Sequence, residues 1–181
     1  MLIEDIARLD YWMILPLFLL GSLLHFTYDW SKHNKVVAIF SAVNESYWEH
    51  IKIAFWPVLL LAIVEFALGG YNYLSFIPAK TIALYSIPVL MIASVLAYKR
   101  VTKKNVLFLD IFCFFLSVAL AQVIGALVML QLEANLWTVA LGGLFLLIIM
   151  ISFVSYTLHP PKETDYFKDP ISDKYGLKAH K

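Results

Sequence analysis

Cysteine is almost missing from this chain: Cys113 stands alone among 181 residues. A single thiol excludes an intrachain disulfide framework, and its place in an apolar run marks it as a small hydrophobe of a core or a lipid-facing surface. Charge is scarce as well. Asp, Glu, Lys and Arg make up 15% of the residues, where soluble domains carry about a quarter. The formal net charge is only +1, so nucleic acid has no electrostatic footprint here and is excluded as a partner. No internal repeat and no low-complexity tract interrupts the chain. What remains is 61% hydrophobic, with a mean hydropathy of +0.77, more apolar surface than a water-soluble fold of this length can hide.

That surplus is organised in runs. Five segments, about 11–30, 48–69, 78–98, 105–131 and 135–156, are long enough to cross a bilayer core of about 30 Å as helices. Unbroken apolarity rather than alternation argues for helices and against a barrel. The expectation is an all-α bundle of five transmembrane helices, residues 1–156, followed by a polar tail, 157–181. Pro88 predicts a kink in the third span. Gly142 and Gly143 in the fifth predict a place where another backbone approaches closely. The first ten residues, MLIEDIARLD, hold three acids and one Arg. This is the reverse of a basic signal-peptide leader, so the first run is expected to stay as a spanning helix.

Lysine and arginine set the orientation. Lys32 and Lys35 follow the first span, KRVTKK follows the third, and Lys162, Lys168, Lys174, Lys178 and Lys181 follow the fifth. Only Arg8 and Lys80 fall on the other side. With five spans the basic segments share one face, which puts the N-terminus outside and the tail in the cytoplasm. The bilayer is therefore the first partner, and a cell membrane the location.

The ionisable groups gather at one depth. His25 and Asp29 are four apart at the inner end of the first helix and share a face. VNESYWEHIK, residues 43–52, opens the second with Asn44, Glu45, Glu49, His50 and Lys52. Asp110 enters the fourth helix from the same side. At 1.5 Å per residue these groups fall within roughly 10 Å of one level, one wall of a cytoplasm-facing polar pocket. Glu65 lies about 24 Å along its helix from Glu49, and Gln122 about 18 Å past Asp110. The two either pair with each other or leave Glu65 protonated, because an ionised carboxylate in hydrocarbon costs about 2.5–3.5 kcal/mol. Plainer readings stand beside these. Ser46-x-x-Glu49 fits a capping box, with Asn44 or Ser41 as alternative caps. Glu49 with Lys52 fits a helix-surface pair, and Asp110 meeting KRVTKK fits an interfacial contact.

Three chemistries suit the cluster. Binding or transport of an ion, proton or small polar solute leads, with His and acids exchanging protons and a homodimer as one way to complete a path. A divalent metal such as zinc on His25, Asp29, Glu49 and His50 is the second, activating water against a lipid or isoprenoid. The spacing does not match the H-E-x-x-H zinc helix. An accessory protein without chemistry is the third.

Three stretches, GSLLHFTYDW, IFSAVNESYWEHIKIAFWP and YTLHPPKETDYFKDPISDKYGL, resemble an uncharacterised family of small bacterial and archaeal multi-pass membrane proteins, domain of unknown function 6512. The resemblance runs from Gly21 to Leu177. It implies a single membrane domain in a prokaryotic cell membrane, and a tail ordered around Asp169-Pro170 and Tyr175-Gly176. It supplies no activity, substrate, cofactor or catalytic residue.

Overall fold

A computed structural model describes residues 1–179. Lys181, counted above among the tail's bases, lies outside the described residues. The chain is all helical: α1 (Ile3–Trp12), α2 (Ile14–Trp30), α3 (Tyr47–Ala67), α4 (Phe76–Thr102), α5 (Leu107–Gln131) and α6 (Leu136–Leu158). Four of these, α3 to α6, are each long and apolar enough to cross a membrane; α1 and α2, bent by 52° where they meet, reach that length and apolarity only as a pair, which gives five spans if the two are counted as one. Four of the five expected spans match a helix within a few residues at each end. Pro88 and Pro78 both lie inside α4, which runs through them as one helix.

The first span differs. Residues 1–10 were expected to precede it, yet residues 3–12 form α1, a helix with its own buried stripe. Ile6, Ala7 and Asp10 are buried on one face, spaced as helix geometry requires. They pack with Phe76, Ala79, Ala126 and Met129. Glu4 and Asp5 occupy the first turn, where the helix dipole favours acids, and Asp5 accepts the Leu2 amide at 3.2 Å. Two of the three acids that argued against a leader peptide, Glu4 and Asp5, are helix-starting residues, and the third, Asp10, is buried.

Burial is distributed as a lipid solvent allows. The first half of α3 is enclosed, with Ile51, Ile53, Phe55 and Val58 at 2% exposure or less, while Leu60, Ile63, Val64 and Phe66 in its second half are exposed. Around it, α6 displays Leu141, Leu144, Phe145, Leu147, Ile148 and Ile151 to the outside. In water so large an apolar face would drive association; in hydrocarbon it costs nothing. Between helices, small residues set the distance. A methyl at Gly142 would come within 3.0 Å of the Pro78 backbone, while Gly143 has open space. The close approach thus falls on one residue of the pair.

After α6 the tail folds over the ends of α3 and α6. A short 3-10 turn (Asp165–Phe167) places Phe167 against Trp48 and Tyr156, with ring centroids 4.9 and 5.5 Å away. An antiparallel bridge joins Lys168 to Tyr175. Gly176 follows at φ +55°, where a side chain would also strike the Pro160 ring. Leu177 then packs on Tyr28, Ala38 and Val43.

Candidate functional site

Three segments bring their polar groups together at the tail-bearing end of the bundle. His25 comes from the last third of α2, Glu45 from the connection before α3, and His50 from the first turn of α3. Glu45 Oε2 lies 3.4 Å from His25 Nε2 and 3.6 Å from His50 Nε2. The imidazole centroids are 5.5 Å apart. One donor atom from each residue lies within 4.8 Å of the other two. Both rings and the carboxylate are partly exposed.

The supports of this triad come from the backbone and the tail. His50 Nδ1 is 2.9 Å from the Ser46 carbonyl. A carbonyl only accepts, so Nδ1 carries the hydrogen and Nε2 is the nitrogen turned to Glu45. The Glu45 amide donates to Asp169 Oδ1 at 3.1 Å. Asp169, buried, also accepts from the Ser172 amide at 2.7 Å and the Ser172 hydroxyl at 2.6 Å. The hydrogen bond from His25 holds the Glu45 carboxyl below its ordinary range, against the opposing effect of burial. For Asp169 burial works upward, but the Ser172 and backbone donors outweigh it and the carboxyl is lowered.

The other residues expected at this site divide. Glu49 and Lys52 are fully buried and face away from the triad. Lys52 Nζ pairs with Glu49 Oε2 at 2.6 Å and donates to the Ala38 carbonyl at 2.7 Å and Thr157 Oγ1 at 3.1 Å. Glu49 Oε2 also accepts the Val43 amide at 3.0 Å. This staple ties the 31–46 connection to α3 and α6. Three residues advance a helix by about 300°, so Glu49 and Lys52 share a stripe that His50 leaves. Glu49 is thereby removed from the metal set, and the capping box does not form: Glu49 reaches Val43, while Asn44 Oδ1 takes the Ser46 amide at 2.9 Å. Asn44 Nδ2 donates to the Gly176 carbonyl at 3.3 Å, a tie to the tail. Asp29 is also removed from the metal set. It is exposed and lies 3.4 Å from His33, one turn further along. Glu45, one of the pocket's expected acids, takes the central position instead.

Glu45 and His50 form one wall of a cavity of about 480 Å³ between α3, α4, α5 and the tail. Lys99 and Asp110 stand in it, with Tyr47 and Ser46. Lys99 Nζ donates to the Tyr47 hydroxyl and lies 4.7 Å from that ring's centroid. The Tyr98 hydroxyl donates to Asp110 Oδ1. Asp110 therefore meets KRVTKK's helix through Tyr98 rather than through a base. Met91, Val95 and Phe114 close the apolar end, and Asp165, Lys168 and Asp169 bring the tail to the rim. Ser46 is 2% exposed, and its hydroxyl has no hydrogen-bond partner among the described residues.

A second polar cluster lies at the opposite end. Lys80 Nζ is 2.6 Å from both carboxylate oxygens of Asp10 and 2.5 Å from Glu65 Oε2. Gln122 Nε2 donates to Asp10 Oδ1 at 2.8 Å. The contact with Glu65 is an ion pair by distance, lying off the hydrogen-bonding directions of that carboxylate. Glu65 and Gln122, expected either to pair or to leave Glu65 protonated, are linked through Lys80 and Asp10. Sequence reasoning missed Asp10 because it was assigned to a leading segment, and read Lys80 as an orientation signal. The available signal was the 3, 6, 7, 10 spacing in IEDIARLD.

No curated protein and no solved structure is similar to the chain. A family model does match, across residues 1–177. Coverage of nearly every residue, including the helices and tail that build the triad, makes the assignment one of the whole chain: it belongs to the family of unknown function (DUF6512).

Proposed function

We propose that this protein resides in a prokaryotic cell membrane and binds a small ion or polar solute in a pocket open to the cytoplasm. The observation that carries the reading is the cavity of about 480 Å³. Its volume falls in the range of small-molecule sites, and like them it joins apolar walls to a few convergent polar groups. Glu45 and Asp110 offer negative charge, Lys99 positive charge, and Ser46 an unpartnered buried hydroxyl. Leaving the buried Ser46 hydroxyl without a partner costs free energy. The basic connections beside the pocket favour a cytoplasmic placement.

Transport across the membrane is the second reading, favoured by the Asp10–Lys80–Glu65–Gln122 cluster in the other half. Ionisable groups inside a membrane domain are candidates for ion or proton paths. Leu84, Ile87, Met91 and Val118, all buried, stand between the two clusters along α4 and α5, so passage requires those helices to rearrange.

The test is thermal unfolding of the full chain in nanodiscs against a panel of protons, monovalent and divalent cations, inorganic phosphate and amino acids. A ligand bound only by the folded state raises the midpoint saturably. The expected result is saturable stabilisation by at least one member of the panel, lost in Lys99→Met or Asp110→Asn. Stabilisation by none, or, transition-metal ions apart, only by compounds that act on both variants as on the wild type, sinks the reading.

A further inference from the structure

We propose that His25, Glu45 and His50 bind one divalent transition-metal ion of the zinc class, with a coordination position left open toward the cavity. The inference rests on the pocket reading above and names the ion on the pocket's wall.

The first argument is convergence. Both Nε2 atoms point at the same carboxylate oxygen, at 3.4 and 3.6 Å. For His50 the Ser46 carbonyl takes the Nδ1 hydrogen, which leaves Nε2 as the nitrogen that can ligate beside the carboxylate. One metal ion accepts both imidazoles and the carboxylate together.

The second argument is geometric. Zinc bonds nitrogen and oxygen at about 2.0–2.1 Å, which spaces tetrahedral donors about 3.3 Å apart. Two of the three separations are close to this. The third is within 4.8 Å, and side chains this exposed close the remainder by small rotations about their χ angles. The supports are those of metal ligands: the far nitrogen of His50 is anchored on a carbonyl, as metal-bound imidazoles usually are. Glu45 is held through its own amide by Asp169. Two imidazoles and one carboxylate suit zinc, iron(II), cobalt or nickel better than magnesium or calcium, which prefer all-oxygen sites.

The third argument concerns access. Three protein donors leave a fourth tetrahedral position, the pattern of sites that take up a solute or water rather than closed structural ones. Glu45 and His50 line the cavity, so that position opens onto a space shared with Lys99 and Asp110. Because the ligands come from α2, the connection and α3, the ion also cross-links three segments.

The experiment uses the full chain in nanodiscs, stripped with chelator and reloaded with Zn²⁺ or Co²⁺. The expected result is about one equivalent per chain, and for Co²⁺ the intense visible absorption of a four-coordinate site. Affinity falls more than about 100-fold in His50→Gln, His25→Gln and Glu45→Gln, beyond the effect of losing a supporting group, and is unchanged in Asp29→Asn. The near-isosteric Gln variants preserve packing, and their metal-free unfolding midpoints confirm the fold. Absence of binding by the wild type, or binding that survives all three Gln substitutions, overturns the inference. Lys99→Met and Asp110→Asn keep the two readings apart. Solute stabilisation without metal binding removes the metal and leaves the pocket. Metal binding without solute stabilisation does the reverse.

Discussion

Lys80 and Asp10, 70 positions apart in the chain, are joined by an ammonium 2.6 Å from both carboxylate oxygens, and neither side chain is open to solvent. Glu65 shares the same ammonium. Two carboxylates thus surround one formal positive charge. Removing the lysine leaves two buried acids uncompensated, whereas removing one acid leaves a neutral pair. Lys80→Met is therefore expected to cost about 3–5 kcal/mol of stability, and Asp10→Asn clearly less. Equilibrium unfolding of both in one detergent checks the order; equal losses would contradict this account of the cluster.

The Glu49–Lys52 staple gives a related prediction with a control. Lys52→Met strands Glu49, the Ala38 carbonyl and Thr157, at a cost of about 3–5 kcal/mol. Adding Glu49→Gln removes the stranded charge and should recover part of the loss, a coupling visible in a double-mutant cycle. Metal affinity at His25, Glu45 and His50 should not change in any folded member of the cycle.

Tail docking should depend on acid through Asp169, which accepts the Glu45 amide. Its carboxyl is lowered in the folded protein, so its contribution is fully present above the unfolded value of 3.8. It is lost as pH falls through the lower folded value. Trp48, stacked on Phe167, reports the docking. Its fluorescence should change on acidification below about pH 4, and Asp169→Asn should show the change already at neutral pH. A Trp48→Phe chain isolates the signal.

Gly142 and Gly143 should respond oppositely to the same substitution. Gly142→Ala places a methyl 3.0 Å from the Pro78 backbone, overpacking worth about 1–3 kcal/mol. Gly143→Ala meets open space and should be neutral or slightly stabilising. Thermal unfolding of the two variants decides.

Topology is testable by reporter fusions at residues 102 and 135. A cytoplasmic signal at 102 and an external one at 135 are expected. A cytoplasmic signal at 135 would reverse the placement of the pocket.

The sequence by itself determined the class of fold. Runs such as VLFLDIFCFFLSVALAQVIGALVML have one stable form in hydrocarbon, because every backbone group must be satisfied within its own segment. Local apolarity therefore located α3 to α6 without knowledge of their neighbours. The same logic failed at IEDIARLD, whose polar residues hide a helix that is buried only because α4 and α5 supply Lys80 and Gln122. Spacing also placed His25, Glu45 and His50 at one depth. Only the tertiary structure decided which acids meet the histidines. Glu49 was taken by Lys52 and Asp29 by His33, while Glu45 was turned inward by Asp169, 124 residues away. Depth follows from position along a helix, but partnership depends on the rotation of each helix and on a distant tail, which no local pattern encodes.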